Sequence, residues 1–488
     1  MSTRAWLPAL LFAAVSAVYL PSIGFGWIYD DVEVVRMQEP ARSLADVARI
    51  FSEPHGLPLS KLPYYRATTR ASLLVQKGWH GDRPGPFHAA NALLAGLAAL
   101  GAFAALRSPR LGLGRAAAAF GAAAFALHPV VSSCVYPVAS GRETLLPVTC
   151  ALFALAAWLR GGVGGRAGGT ALLALALLGK EQALVVPALF LAAELFAVTP
   201  DPPGRSARAW LARAAPLALV VAGYLALRGR VLPPSDVDVN PLVFIARHLG
   251  AAPFGPLQSL GFAVQAWFAP FGRVHYEPSF AAWFDPLRLL LALGLLGAVV
   301  ALARRAAPPG AVVWWLAFVP IGMGLTLNLF PQEARFAERF VALSSLGFAA
   351  LLAHALAALE VRHARAAAAA AAIVLLGLAA VSVRRGGDFR DELSFASRWV
   401  ASDPAQPNAR YVLGTVLARQ GRMPEALEQL RAAVELAPEL AAAHYNLGVL
   451  LAEQGRHHEA AEAFREALRH DPDDPAARAA LAAVEAAP

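Results

Sequence analysis

The sequence predicts an all-α protein in two parts: a polytopic membrane bundle of about 11 helices over 1–384, then a short helical-repeat solenoid over 385–488. Three observations carry this. First, 57% of the 488 residues are hydrophobic and 16% are charged, with mean hydropathy +0.50, whereas soluble domains carry roughly 25% charged residues. Second, the arginines fall mostly between apolar runs, where they read as loop anchors that orient the spans. Third, from 384 onward the composition turns soluble and residues recur 34 apart, the tetratricopeptide period. The net charge of +8 is accounted for by the loop anchors, so no nucleic-acid partner is expected. Only three lysines occur, Lys61, Lys77 and Lys180, and two cysteines, Cys134 and Cys150. Two cysteines at or inside spans give neither a disulfide framework nor a metal site.

Taken in order, 6–23 is an uncleaved first span: Arg4 precedes it and no small-residue cleavage site follows. With Arg4 inside, the span exits near Gly24 and Asp30 and Asp31 face outward. Residues 29–86 form a first outer loop, in which 44–51 and 66–79 read as helices lying in the interface. The run 88–106 returns inward and 116–127 exits to His128-Pro129. The run 144–159 comes back to Arg160 and Arg166. Residues 170–198 would make one helix of about 43 Å against a core of about 30 Å. Lys180-Glu181 interrupts it, which predicts two short helices with that pair at the outer turn. Then 215–227 exits and 228–285 forms a second outer loop, with 256–271 re-entrant or interfacial. The spans 287–303, 311–329, 340–359 and 366–383 complete the bundle. Trp27, Trp79, Trp267 and Trp283 read as interfacial belt aromatics.

In the C-terminal part Gly414 and Gly448, Gln420-Gly421 and Gln454-Gly455, Ala426 and Ala460, and Pro438 and Pro472 are each 34 apart. Small residues recur where paired helices cross, and Pro closes each unit. Residues 389–400 read as the second helix of a half-repeat and 476–487 as a capping helix. Two full repeats are few for an independent solenoid, so docking on the membrane domain is expected. The repeats fall outside the membrane, on the extracytoplasmic side, and a bacterial inner membrane is the expected location.

The predicted topology gathers His128, Arg142, Glu143, Lys180, Glu181, Arg228, Glu338 and Arg339 near the outer face, beside Asp30 and Asp31. Ionisable groups at the edge of the apolar core are costly and usually have a role or a partner. Adjacent carboxylates at a low-dielectric boundary suit a general base or a cation ligand. The arginines and Lys180 suit a phosphate, although helix-end charges also simply reach for water. His88 and Asn91 are expected to tie neighbouring helices together by hydrogen bonds.

Several segments, in order, resemble one family. Ala126-Leu127-His128-Pro129 with Ser140-Gly141-Arg142-Glu143-Thr144-Leu145-Leu146 is similar to the His-Pro and Ser-Gly-Arg-(Asp/Glu)-x-Leu signature of the transmembrane and tetratricopeptide-repeat O-mannosyltransferases, in the glycosyltransferase-C superfamily. Pro86-Phe87-His88-Ala89-Ala90-Asn91, Leu178-Gly179-Lys180-Glu181, Asn240-Pro241 and Ala337-Glu338-Arg339-Phe340 resemble further motifs of that family. The first outer loop keeps Tyr65-Arg66 but lacks the Pro-Leu that follows in the family, and the repeat array is short.

The resemblance implies transfer of one sugar, mannose, from a polyprenyl or dolichyl phosphate to a hydroxyl of a protein Ser or Thr on the extracytoplasmic face. Asp30 or Asp31 would take the acceptor proton. Arg339, Lys180, Arg142 and Arg228 would hold the donor phosphate, supported by Glu143, Glu181, His128, Glu338, His88, Asn91 and Arg66. No nucleotide-binding loop occurs, which fits a lipid-carried donor. No cofactor is required by the pattern. A divalent cation, if one binds, would sit on Asp30 and Asp31. Membrane lipid and a protein held by the repeats are the expected partners. The alternative is an inactive membrane-anchored repeat scaffold, which would not need Asp, Arg and Lys at one depth. A transporter would instead place ionisable residues at mid-membrane depth.

Overall fold

The computed structural model describes residues 6–53, 65–232, 253–271, 278–328 and 336–486. Asn240-Pro241 and much of the 228–285 loop lie outside the described residues. Every regular element among those described is helical. The chain falls into two compact units: Met1–Gly272 with Phe284–Gly387, and Arg273–Trp283 with Asp388–Pro488.

The first unit is built from apolar helices. Helix α1 (Trp6–Tyr19) continues as a 3-10 turn (Leu20–Gly24), and a short π-helix (Val32–Arg36) follows. Next come α2 (Leu44–Ser52), α3 (Ala67–His80), α4 (Pro84–Leu106), α5 (Arg115–Ala126), the one-turn α6 (Pro129–Ser132) and α7 (Ala139–Leu159). After these run α8 (Gly162–Gly179), α9 (Val186–Leu195), α10 (Ala207–Val231) and α11 (Gly255–Phe268). Among the described residues, seven helical segments are long and apolar enough to cross a membrane, and two shorter apolar helices accompany them. Small residues let helices approach: a Cβ on Gly96 of α4 would lie 2.4 Å from Ser16 Oγ and 2.8 Å from the Phe12 ring on α1.

The interruption expected at Lys180-Glu181 is present. Helix α8 ends at Gly179, Lys180 is extended (φ −164, ψ 139), and a 3-10 turn (Glu181–Val185) leads into α9. Several boundaries differ from the sequence expectation, and two helix starts differ most. Helix α8 starts at Gly162 rather than 170, and α10 starts at Ala207 rather than 215, where the Ser206 hydroxyl caps it by accepting from Ala209 N–H (3.3 Å). Arg166, expected beyond the end of the 144–159 run, therefore lies within α8, and Arg213 lies within α10. At 14 residues α11 is about 21 Å long, too short for a core of about 30 Å, as its polar content suggested.

In the second unit, α12 (Phe280–Trp283) belongs with the repeats: Asp403 accepts from Ser279 N–H at 2.8 Å. Back in the first unit, α13 (Pro286–Ala303), α14 (Ala311–Met323) and α15 (Ser345–Gly386) follow, α15 being bent at His363 (φ −142, ψ 62). That bend separates the two runs expected at 340–359 and 366–383.

The repeat helices are α16 (Glu392–Ser402), α17 (Pro407–Arg419), α18 (Met423–Leu436), α19 (Ala441–Glu453), α20 (His457–His470) and α21 (Pro475–Glu485). The two Gln-Gly turns are the same structure twice: Gly421 (φ 74) and Gly455 (φ 75) take a left-handed conformation that glycine adopts without steric cost. A Cβ on Gly448 would lie 2.7 Å from the Phe464 ring, so the glycine is what lets α19 and α20 cross. Tyr445 packs on that same ring, centroids 5.8 Å apart.

Candidate functional site

The Asp pair sits in a strained turn. Tyr29, a non-glycine residue, has φ 39, a costly conformation that persists only where surroundings impose it. Asp31 follows as the residue that starts the π-helix. Its carboxylate accepts N–H groups from Ile28 (3.2 Å), Val138 (3.3 Å) and Ala139 (2.7 Å). The last two belong to the start of α7, where unpaired backbone donors favour an anion. Asp31 is 1% exposed. Burial pushes its carboxyl up to about 7, against the pull of the three N–H donors and Arg142. Asp30 is half-buried. The two acids thus differ: Asp31 is anchored on the protein and Asp30 has the greater access to solvent.

The Ser-Gly-Arg-Glu segment explains the anchor. Gly141 packs on the Cys134 carbonyl, which a Cβ would meet at 2.8 Å. Arg142 points back to α3 and α4: Nε donates to Asn91 Oδ1 (2.8 Å), Nη1 to Gln76 Oε1 (2.6 Å) and Nη2 to the Phe87 carbonyl (2.9 Å). Asn91 Nδ2 in turn donates to the carbonyls of Val135, Pro137 and Val138 (2.9–3.3 Å). His88 Nε2 lies 3.1 Å from the Gly26 carbonyl, just ahead of the Asp pair. Arg142, Asn91 and His88 therefore fix the α4–α7 contact and the turn that carries the acids. Arg142 was expected at the donor phosphate; here its guanidinium is held by protein acceptors, and it does not line the cavity described next.

A narrow cavity of about 20 Å³ lies between α7, the α8–α9 break and α14. Lys180 and Arg339 both line it, with Thr144, Gln182 and Thr326 among apolar walls. Lys180 Nζ donates to Thr144 Oγ1 at 3.1 Å. Burial first, and the neighbouring Arg66, push the Lys180 ammonium down to about 8. Arg339 is half-buried and lies over the Phe340 ring (5.3 Å). Beside them Arg66 bridges Glu143 and Glu181, the latter through Nη2–Oε1 (2.8 Å). Despite burial, Arg66 and Lys180 hold the Glu181 carboxyl at about 2.

The other expected residues have partners of their own. Glu338 forms a buried ion pair with Arg385 (2.8 Å to each carboxylate oxygen). His128 stacks on Trp267 (centroids 4.6 Å, planes 1° apart), donates from Nε2 to its carbonyl (2.9 Å) and accepts from Val130 N–H (3.2 Å). Trp267 and Trp283 are buried, which corrects their reading as belt aromatics; Trp79 is 79% exposed. Arg228 is exposed at the end of α10 and does not line the cavity. Sequence reasoning missed Arg385, Gln76, Thr144 and Lys77. Arg385 looked like one more loop arginine, and the carboxylate at Glu338, needing a partner, was the only signal.

Of the Asp31 oxygens, Oδ2 accepts from Ile28 and Val138 and Oδ1 from Ala139. Among the described residues no group of three or more His, Cys, Asp or Glu gathers for a metal ion.

The chain is thus an all-helical protein with several apolar helices and a C-terminal helical-repeat unit. The tetratricopeptide-repeat family profile matches residues 378–441 and 411–475. A curated relative, Protein O-mannosyl-transferase Tmtc2 of Drosophila melanogaster, is 36% identical over 108 residues, 22% of this chain and 11% of the relative. The match spans about a tenth of that relative's length.

Proposed function

We propose that the protein is a membrane glycosyltransferase of the glycosyltransferase-C type, related to the O-mannosyltransferases. It moves one sugar, mannose, from a polyprenyl or dolichyl phosphate to a protein hydroxyl on the extracytoplasmic side, in an inner membrane of bacterial type. The observation that carries this is the convergence of two cations, Lys180 and Arg339, on one cavity at the break between α8 and α9. Two cations lining one cavity suit an anionic group, with Glu143 and Glu181 beside them held by Arg66. The name of the Drosophila relative supports the choice of sugar, and the tetratricopeptide repeats support a protein acceptor or partner.

In this reaction the Asp30 carboxylate takes the acceptor hydroxyl proton. The oxygen attacks the sugar's anomeric carbon as its bond to the phosphate oxygen breaks, and the lipid phosphate leaves with the electron pair. Its charge rises from about −1 to about −2, and Lys180 and Arg339 stabilise that increase. Asp31 and Arg142 hold the base's turn against α7. Purified protein incubated with radiolabelled polyprenyl-phosphate mannose and a hydroxyl acceptor tests it. Wild type is expected to transfer label, and Asp30→Asn to lose about 10²- to 10⁴-fold in turnover with donor affinity little changed. Full activity in Asp30→Asn would remove the base assignment, and folded wild type that binds no lipid phosphate would leave the scaffold alternative.

A further inference from the structure

We propose that Lys77 is a positioning residue for the Asp30 turn, an inference that rests on the transferase assignment for its effect on rate. In a chain that uses arginine almost everywhere, Lys77 is one of three lysines. It is 8% exposed and lies on α3. Its ammonium donates to three carbonyls at once: Val35 (3.1 Å), Arg36 (2.7 Å) and Gln38 (2.7 Å), and pairs with Asp82 at 3.1 Å.

Val35 and Arg36 end the π-helix Val32–Arg36, whose N-cap is Asp31, and Gln38 lies two residues beyond it. A five-residue helix leaves its last carbonyls without intrahelical donors, and a cation there also suits the helix dipole. Three N–H bonds diverging from one nitrogen reach three carbonyls; a planar guanidinium fork does not. This explains a lysine here on chemical grounds. Gln38 adds a second tether, donating from Nε2 to the Glu33 carbonyl (3.1 Å) and accepting from Arg70 Nη2 (2.7 Å). From the same face of α3, Leu73 packs with Val35.

The turn is thus held at both ends. Asp31 is fixed to the start of α7 and the π-helix is fixed to Lys77, with the strained Tyr29 and the half-buried Asp30 beside the first anchor. Freeing the second lets the strain at Tyr29 relax through the short helix and shifts Asp30. Displacements of about 1 Å at a reacting group can cost about 10²-fold in rate.

Full-length Lys77→Arg and Lys77→Met are compared with wild type by hydrogen exchange over 30–38, by donor affinity and by turnover per folded molecule. Lys77→Arg keeps the charge and is expected to fold. It should exchange at least about tenfold faster over 30–38 and lose roughly 10- to 100-fold in kcat, with donor affinity within about twofold. Lys77→Met should show the same changes, larger. Unchanged exchange over 30–38 overturns the proposal whatever the activity does. Faster exchange with unchanged kcat reduces Lys77 to a merely structural contact and also overturns it. Loss of the transferase assignment has a different signature: wild type transfers nothing, or Asp30→Asn is fully active, with the exchange result standing.

Discussion

Helix α8 carries charge at both of its ends, about 27 Å apart, and the two ends are built differently. At its start, Arg166 and, from α10, Arg213 flank the buried Glu194 of α9 (3.7 and 3.4 Å). Asp201 joins Arg166, and the Thr199 hydroxyl donates to Glu194 at 2.8 Å. Two cations meet two anions. At its far end Lys180 and Arg339 share the lining of a cavity, and the hydrogen-bond acceptor of Lys180 is the neutral hydroxyl of Thr144. At the first end the charges close on one another; at the far end Glu143 and Glu181 are held by Arg66, while Lys180 and Arg339 line a cavity that suits a group of the other sign. The same residue types therefore do different work, decided by what they face.

The largest effect should come from emptying the cavity of charge. Lys180→Met combined with Arg339→Met removes both groups that the proposed function sets against the donor phosphate. One preorganised electrostatic contact is worth about 10²- to 10³-fold, so the double variant should lose at least about 10³-fold in kcat/KM and bind donor poorly. Wild-type donor affinity in that variant would end the comparison, since the cavity cations would then be as structural as the other end.

The opposite end should break in the other currency. Glu194→Gln leaves Arg166 and Arg213 facing a neutral amide in a buried site, and removing one partner of such a set typically costs about 3–5 kcal/mol. Thermal inactivation in detergent should move down sharply, while turnover per folded molecule stays at the wild-type level. A turnover defect without a stability loss would mean that this end also serves the reaction.

How much of this contrast could be read from the chain alone depends on how local the cause is. The Lys180-Glu181 break was legible because two charges inside a 29-residue apolar run cannot lie in the bilayer interior. The repeats were legible because a period of 34 is written in neighbouring residues. The role of Asp31 was not, because its partner Val138 is 107 residues away. Arg142 finds its acceptors 51, 55 and 66 residues upstream. Glu338 pairs with Arg385 across 47 residues. Arg166 and Arg213 were counted for orientation only, since charge counts say which side a loop lies on and nothing about pairing.

Acidity separates the ends further. The ammonium of Lys180 lies at about 8, below its ordinary 10.5. Between those values the unfolded chain binds more protons than the folded one, so this group makes stability rise with pH across that window. Donor affinity should move the opposite way. As pH climbs through about 8 Lys180 turns neutral, and loss of a hydrogen bond to a charged group, about 1.5–3 kcal/mol, weakens donor binding by about 10- to 100-fold. Arg339 stays charged and keeps the remainder. Measuring donor affinity and the thermal midpoint from pH 7 to 10 checks both signs, and a flat affinity profile in wild type would remove Lys180 from the phosphate.

The smallest and cleanest test uses two buried threonines, one at each end, each joined by its hydroxyl to a charged side chain. Thr144→Val and Thr199→Val are close in shape and each deletes one hydrogen bond to a charge, worth about 1.5–3 kcal/mol. At the Glu194 end that loss has nowhere to go but stability, because Glu194 is held by Arg166 and Arg213 in one packed cluster. Thr199→Val should lower the thermal midpoint and leave donor affinity alone. At the Lys180 end the deleted acceptor served the charged ammonium. Thr144→Val should push the Lys180 ammonium further down and bring the alkaline fall in donor affinity to lower pH. Its effect on folding should be the smaller of the two, since Lys180, at about 8, can shed its proton instead of staying charged without its acceptor. Equal stability losses with no change in either affinity profile would show that both threonines serve packing alone, and the distinction between the two ends would then rest on the cavity and its two cations.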